Sequence, residues 1–390
     1  MTTSSQLRLL ALATLTSGAL AAIGCGSSGS TDADASATAE ATSKPKKAAS
    51  ASASASAKPS ATAAATAAPS GSAEAKPPMP TGPLPPVELR DRKSASFGGK
   101  EVSAEICKLD ETGPMMGHDS FDKAIRGVAA GPGGLVYVLD HEGKLRRYTA
   151  SKSGECVLTL DKGFGEGGIL TLAAEAEKAD YFDTLTIDGK GDVYVSGFIA
   201  APIKVSGGSA TPACKDTGRL YVDTKGGSAF QRKNQVDLGA DCKSTEVKHD
   251  LGKEASIDTF VPHGADVLAA YSQKEKDKNV YKVALLSGGK KKWAVGDADG
   301  DGQMCNIGTV TGCGFGVCAV DANCRSLKVI DGKGKLLGAT KINDLLGLSY
   351  PWPRALSVGD GTAYMAASHR GNVKGDDRSY GMVFRIKGLN

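Results

Sequence analysis

Val128-Ala-Ala-Gly-Pro-Gly-Gly134-Leu-Val-Tyr137-Val-Leu-Asp140 aligns without gaps on Leu185-Thr-Ile-Asp-Gly-Lys-Gly191-Asp-Val-Tyr194-Val-Ser-Gly197. In both segments a short apolar strand meets a Gly-rich turn. The chain then re-enters a strand whose third residue past the key glycine is Tyr. Glycine tolerates the backbone angles that a tight reversal demands, so each segment reads as a β-hairpin. A third copy is Leu356-Ser-Val-Gly-Asp-Gly361-Thr-Ala-Tyr364-Met-Ala-Ala. Two weaker ones are Phe260-Val-Pro-His-Gly264-Ala-Asp-Val267-Leu-Ala-Ala and Gly314-Phe-Gly-Val317-Cys-Ala-Val-Asp321.

A further strand is expected after each hairpin, at Lys144–Tyr148, Arg219–Val222, Val280–Val283, Leu327–Ile330 and Met382–Ile386. The clearest units lie 57 residues apart, from Val128 to Leu185, and 46 apart, from Val310 to Leu356. Hairpin-plus-strand units at that spacing match the blade of a β-propeller, a four-stranded sheet repeated around an axis. The 75 residues from Leu185 to Phe260 exceed one blade and hold either a long insertion or a degenerate extra copy. The fold class is therefore read as all-β, a propeller of six blades with seven as the next choice. A tandem of β-sandwiches is the structural alternative. At the segment level the hairpins resemble NHL-repeat and streptogramin-lyase-like propellers, in which an apolar strand, an Asp/Gly turn and a Tyr-Val strand recur. The resemblance spans residues 120–390 and is concentrated in the three best copies.

Outward from the repeat, composition sets the domain limits. The chain has 390 residues with 9 Phe, 10 Tyr and 2 Trp, and no aromatic residue precedes Phe97. A segment without large apolar side chains buries too little to offset the entropy of ordering. The propeller is thus assigned to 87–390. Residues 26–86 are almost all Ala, Ser, Thr, Pro, Gly and Lys and read as a disordered linker following Cys25.

Residues 1–24 read as a signal peptide: Arg8 precedes an apolar run, Leu9–Ile23, too short and too rich in Thr, Ser and Gly to span a bilayer comfortably. The run ends in Leu20-Ala21-Ala22-Ile23-Gly24-Cys25, which resembles the bacterial lipoprotein signal, with Ala22 where that family usually has Leu or Val. The resemblance implies lipidation of Cys25 and an exported chain anchored to a bacterial membrane. Gly26 after the cysteine resembles lipoproteins sent to the outer membrane, which would place the domain in the periplasm or at the cell surface.

Eight cysteines remain, at 107, 156, 214, 242, 305, 313, 318 and 324, and an even number in an exported chain argues for disulfides. Local pairing would join Cys107 to Cys156 and Cys214 to Cys242, with two bridges among Cys305, Cys313, Cys318 and Cys324. The gaps in that cluster depart from zinc-knuckle spacing. The metal-like motif is Asp297-Ala-Asp299-Gly-Asp301-Gly302-Gln303, whose alternating carboxylates and turning glycine suit calcium; Gly308 at the twelfth place, instead of Glu, excludes an EF-hand. The alternative is a solvated acidic turn.

His118, His141, His249, His263 and His369 show no metal-ligand or base–nucleophile spacing and read as surface or turn residues. Gly332-Lys-Gly334-Lys-Leu-Leu-Gly338 reads as a turn and not as a dinucleotide loop. With 47 basic and 43 acidic residues the chain carries +4, no electrostatic footprint for nucleic acid. The function expected is a membrane-anchored, non-enzymatic propeller that binds a protein or glycan at its axial face. The alternative is a hydrolase or lyase with its active site in the axial mouth.

Overall fold

The computed structural model describes residues 89–110, 124–172, 182–232, 235–238, 242, 245–246, 248–297, 303–370 and 379–389. One turn chemistry recurs through them. Asp188 Oδ1 accepts the backbone N–H groups of Lys190 at 2.9 Å and Asp192 at 3.0 Å. Asp140, Asp223 and Asp331 accept in the same way from the residues two and four further on. The residue three further on is Gly143, Gly191, Gly226 or Gly334, with φ between 72° and 89°. A short carboxylate that caps its own turn, followed by a residue free to enter the left-handed region, fixes a hairpin locally.

The described strands form six sheets, and four of the six carry one such turn. Strands β1 (Ala95–Phe97), β2 (Lys100–Ile106) and β3 (Lys108–Asp110) come first. The first sheet holds β4 (Ile125–Ala130), β5 (Leu135–Asp140), β6 (Lys144–Ala150) and β7 (Val157–Leu160), with β3 parallel to β7 and β8 (Ile169–Thr171) paired to β6. The second is β9 (Thr184–Ile187), β10 (Val193–Gly197), β11 (Ala200–Ser206) and β12 (Ser209–Pro212). The third is β13 (Arg219–Val222), β14 (Ser228–Arg232), β15 (Gln235–Leu238) and β16 (Thr245–Glu246). The fourth is β17 (Ser256–His263), β18 (Asp266–Glu275), β19 (Lys278–Ser287) and β20 (Lys290–Val295). The fifth is β21 (Ile307–Cys313), β22 (Gly316–Asp321), β23 (Ser326–Asp331) and β24 (Leu336–Lys341). A helical turn, α1 (Ile342–Leu346), leads to the sixth, β25 (Pro351–Gly359), β26 (Thr362–Arg370) and β27 (Ser379–Lys387).

Strand periodicity explains how the sheets stack. Val193 and Val195 face the first sheet's Tyr137 and Leu139, while Tyr194 between them faces Leu220 and Phe230 of the third. Leu268 and Ala270 meet Val310 and Val317 of the fifth sheet, and Ala269 and Tyr271 pack on the side of Ala229 of the third. Val320 and Leu327 meet Leu356 and Phe384 of the sixth, whose Tyr364, Ala366 and Val383 return to Val128, Val136 and Tyr148 of the first. Each sheet therefore has apolar residues on both faces, and the last packs on the first. The ring is sealed within the sixth sheet, where β2 pairs β27 in the register Ala104↔Ile386 and Ile106↔Phe384. The fold is a β-propeller.

The repeated tyrosines have a common duty. Tyr137, Tyr194 and Tyr364 all lean on the next sheet around the ring, and Tyr137 donates its hydroxyl to Gly191 O at 3.4 Å. One expectation is corrected: Arg219–Val222 is not the third strand of the unit begun at Leu185, a place taken by β11. It opens a sheet of its own, so the 75-residue interval holds an extra copy.

Candidate functional site

The first strand of every sheet, β4, β9, β13, β17, β21 and β25, lines one cavity of about 400 Å³. In an up-and-down sheet, the loops that lead into the first strand and those that join the second to the third lie at the same end. That end is called the upper mouth here, and the end where the inner strands finish is the lower.

At the upper mouth one position recurs around the ring: Arg126, Asp183, Arg219, Asp258, Gly308 and Arg354. Each stands two residues before Val128, Leu185, Tyr221, Phe260, Val310 or Leu356. In four of the six sheets it is the extra residue of a β-bulge, the register slipping between Ile125 and Gly127, Ile257 and Thr259, Ile307 and Thr309, and Pro353 and Ala355. A bulge bends the strand and re-aims that side chain, which is how an inner strand can turn a charged residue out of the apolar inter-sheet layer.

The charges of this ring are unevenly satisfied. Arg219 Nε donates to Asp183 Oδ1 at 2.9 Å, its Nη2 pairs with Asp183 Oδ2, and its Nη1 donates to Asp258 O at 3.0 Å. Burial opposes its charge, but Tyr221 and Asp183 hold its pKa above the usual arginine value. Phe198 stacks on its guanidinium at 3.9 Å. Arg126 donates to Phe182 O at 3.1 Å and lies 3.0 Å from His141 Nδ1. Arg354 makes no side-chain hydrogen bond or ion pair with any described residue. It is open to the water of the mouth, yet the walls around it, and then Arg126, press its pKa below the usual arginine value.

Asp258 lines an adjoining recess with Phe198, Arg219, Asn306 and Gly308. Its Oδ2 is buried without a hydrogen-bond donor, and burial raises its pKa against the pull of Arg219. A raised acid pKa means stability that is complete below the unfolded value near 3.8 and declines as pH rises through the folded value. Asp258→Asn should therefore melt about 2–4 °C above wild type at pH 7, equivalent to ~1 kcal/mol in a domain of this size. At pH 3.5 the two melting curves should coincide, and an equal gap at both pH values would refute the assignment.

The lower mouth is quieter. Gly264 N–H donates to Asp223 Oδ2 at 3.2 Å and Ala130 N–H to Ser357 Oγ at 2.9 Å, joining neighbouring inner strands. His263 lines the cavity here beside Lys225. Burial lowers its pKa, Lys225 pushes the same way, and Asp266 and Asp223 oppose. His141 is a turn residue as expected, but His263 lines the channel and His369 is buried.

Among solved structures the chain is similar to the WD40 β-propeller domain of Doa1, at 11% identity and a TM-score of 0.41 over 67% of this chain and 93% of that one. It is also similar to the Neurospora crassa Pan2 WD40 domain, at 11% identity and 0.37 over 69% and 90%. The β-propeller domain of Myceliophteria thermophila Cps50 (Swd1) aligns at 10% identity and 0.41 over 68% and 84%. No family model matches the chain, and no curated protein matches it.

All eight cysteines of the domain are paired, as Cys107–Cys156, Cys214–Cys242, Cys305–Cys324 and Cys313–Cys318. Asp321 lies close to Cys305 and Cys324. It is a turn anchor, its carboxylate accepting the N–H groups of Cys305 at 2.6 Å and Cys324 at 2.9 Å. Asp297 and Gln303 form an isolated bridge at the base of the acidic loop. Asp299 and Asp301, like Cys25, lie outside the described residues. The ring of Arg126, Asp183, Arg219, Asp258 and Arg354 was not read from the sequence, although its signal was a fixed offset from the aligned hairpins.

Proposed function

We propose that this chain is an exported lipoprotein, anchored through Cys25 to a bacterial outer membrane, whose six sheets are six blades and whose upper face binds a protein partner. One observation carries the binding reading. Of the five large apolar side chains exposed on the described surface, Phe198, Ile199 and Tyr350 stand in loops of the upper face and Trp352 at the upper end of β25. Arg219 stacks on Phe198, and Arg325 lies 4.9 Å from the Trp352 ring and 5.5 Å from Tyr350. Aromatic and arginine side chains in one patch are the composition of protein-binding hot spots, which favours a protein over a glycan. The test is cross-linking in the source cells. A defined adduct should form with wild type, survive Lys225→Ala at the lower mouth and vanish in an Ile199→Ser/Trp352→Ala double variant; equal adducts in all three would end this reading. Cys25→Ala should move the protein from the membrane to the soluble fraction.

The enzymatic alternative would use Asp258, among the described residues the one carboxyl of the mouth whose pKa is raised. It would gain if Asp258→Asn abolished a turnover that the Ile199/Trp352 double variant retained. The calcium loop belongs to the same proposal, because Asp297 and Gln303 close the base of a loop that carries two more carboxylates. At affinities of ~10⁻⁴–10⁻³ M, millimolar calcium would add about 0.4–1.4 kcal/mol. Melting in calcium against chelator should show a shift of a few degrees that Asp299→Asn removes. Identical curves return the motif to a solvated acidic turn.

A further inference from the structure

We propose that Arg354, with Arg126 beside it, forms an oxyanion site at the upper mouth that receives a carboxylate presented by the protein partner. This rests on the protein-binding reading of that face and names the chemistry the partner must carry.

Charge placement around the ring motivates it. Asp183 answers Arg219 by a salt bridge, and the buried side of Asp258 faces the recess beside them. Both acids of the ring therefore lie on the far side from Arg354. Its ring neighbours are Gly308 on one side and Arg126 on the other, so a cation without an ion pair among the described residues stands next to a second cation. A guanidinium offers five N–H donors in a planar fork that fits a carboxylate on two of them.

Space is available beside those donors. Gly308 is the ring position without a side chain and is exposed. Among the described residues a Cβ built there would meet only Ala322 Cβ at 3.3 Å, in the turn after β22, and Val320 O at 3.9 Å on β22. Thr309 Oγ1 donates to Arg354 O at 3.4 Å, tying the two strands that flank the opening. An incoming carboxylate thus finds an open notch over Gly308, the Arg354 fork at its side and Arg126 behind. Tyr350, just before the same strand, and Trp352, at its start, are exposed and would contact the apolar residues that flank an acidic side chain.

The probes are a hexaglutamate peptide, a hexalysine control and inorganic phosphate, titrated calorimetrically into the full mature chain. Hexaglutamate should bind and hexalysine should not. Arg354→Gln should weaken hexaglutamate about tenfold or more, the loss of one charge-assisted pair. Arg354→Lys, which keeps the charge and loses the fork, should fall between, and Gly308→Leu should block the notch. Lys225→Gln at the lower mouth should change nothing. Unchanged affinity in Arg354→Gln, with its melting temperature preserved, overturns the proposal. Phosphate binding that depends on Arg354 while hexaglutamate fails to bind also overturns it, since the ligand would then be a free anion. If the partner adduct survives Arg354→Gln but is lost in the Ile199/Trp352 double variant, the carboxylate site falls and the protein-binding reading stands.

Discussion

Phe384→Ala is expected to remove about 3–5 kcal/mol of stability, the usual cost of emptying a fully buried aromatic site. Phe384 is completely buried on β27 and lies opposite Met365 of β26 and Ile106 of β2. Its cluster takes Val102 from the N-terminal strands, Leu327 and Val329 from the fifth sheet, and Leu345 and Leu346 from α1. The cavity would open where the ring is sealed, between strands from the two ends of the folded chain, which could not relax into it together. Urea unfolding of the purified domain measures the loss. A cost under ~1 kcal/mol would mean that the β2–β27 closure contributes little.

The second large effect is expected from Cys107→Ala/Cys156→Ala. This disulfide spans 49 residues, and the chain-entropy account assigns such a loop about 4 kcal/mol. Its position adds a structural reason. Cys107 N–H donates to Val383 O in the sixth sheet, and Lys108 N–H donates to Cys156 O at the edge of the first. The bond therefore pins the strand that seals the ring to the sheet where the ring begins. Removing Cys313–Cys318, five residues apart at one hairpin, should cost about 2 kcal/mol on the same account. The two double variants, unfolded side by side in urea, test the order. If the short bridge proves as costly as the long one, loop closure is not what the long one supplies.

The hairpins were legible in the sequence because their determinants are local. Asp188 caps its own turn and Gly191 supplies the positive φ within four residues, and the same spacing at Asp331 and Gly334 makes that glycine-rich stretch a turn between β23 and β24. Alternation placed Tyr137, Tyr194 and Tyr364 in strands for the same reason, since a side chain's face depends only on its parity along the strand. The third sheet was hidden by a small change in the pattern: Phe230 stands three residues past Gly227, where the other copies carry Tyr or Val. Its turn at Asp223 was present all along.

What the sequence by itself determined, then, was the repeated hairpin, the even set of cysteines and the lack of any aromatic residue before Phe97. Pairing was open for Cys305, Cys313, Cys318 and Cys324, because four thiols within twenty residues can combine in several ways until the strands carrying them are placed. Tertiary structure alone decided the seal and the mouth. β2 meets β27 across nearly the whole folded chain, and no local rule selects that partner from the other strand edges. The mouth depends on this closure. Arg126 and Arg354 sit at opposite ends of the inner-strand series in sequence, and only when the sixth sheet packs on the first do their charges become neighbours. Coulomb interaction acts on distance in space, and the linear order of residues does not carry that distance.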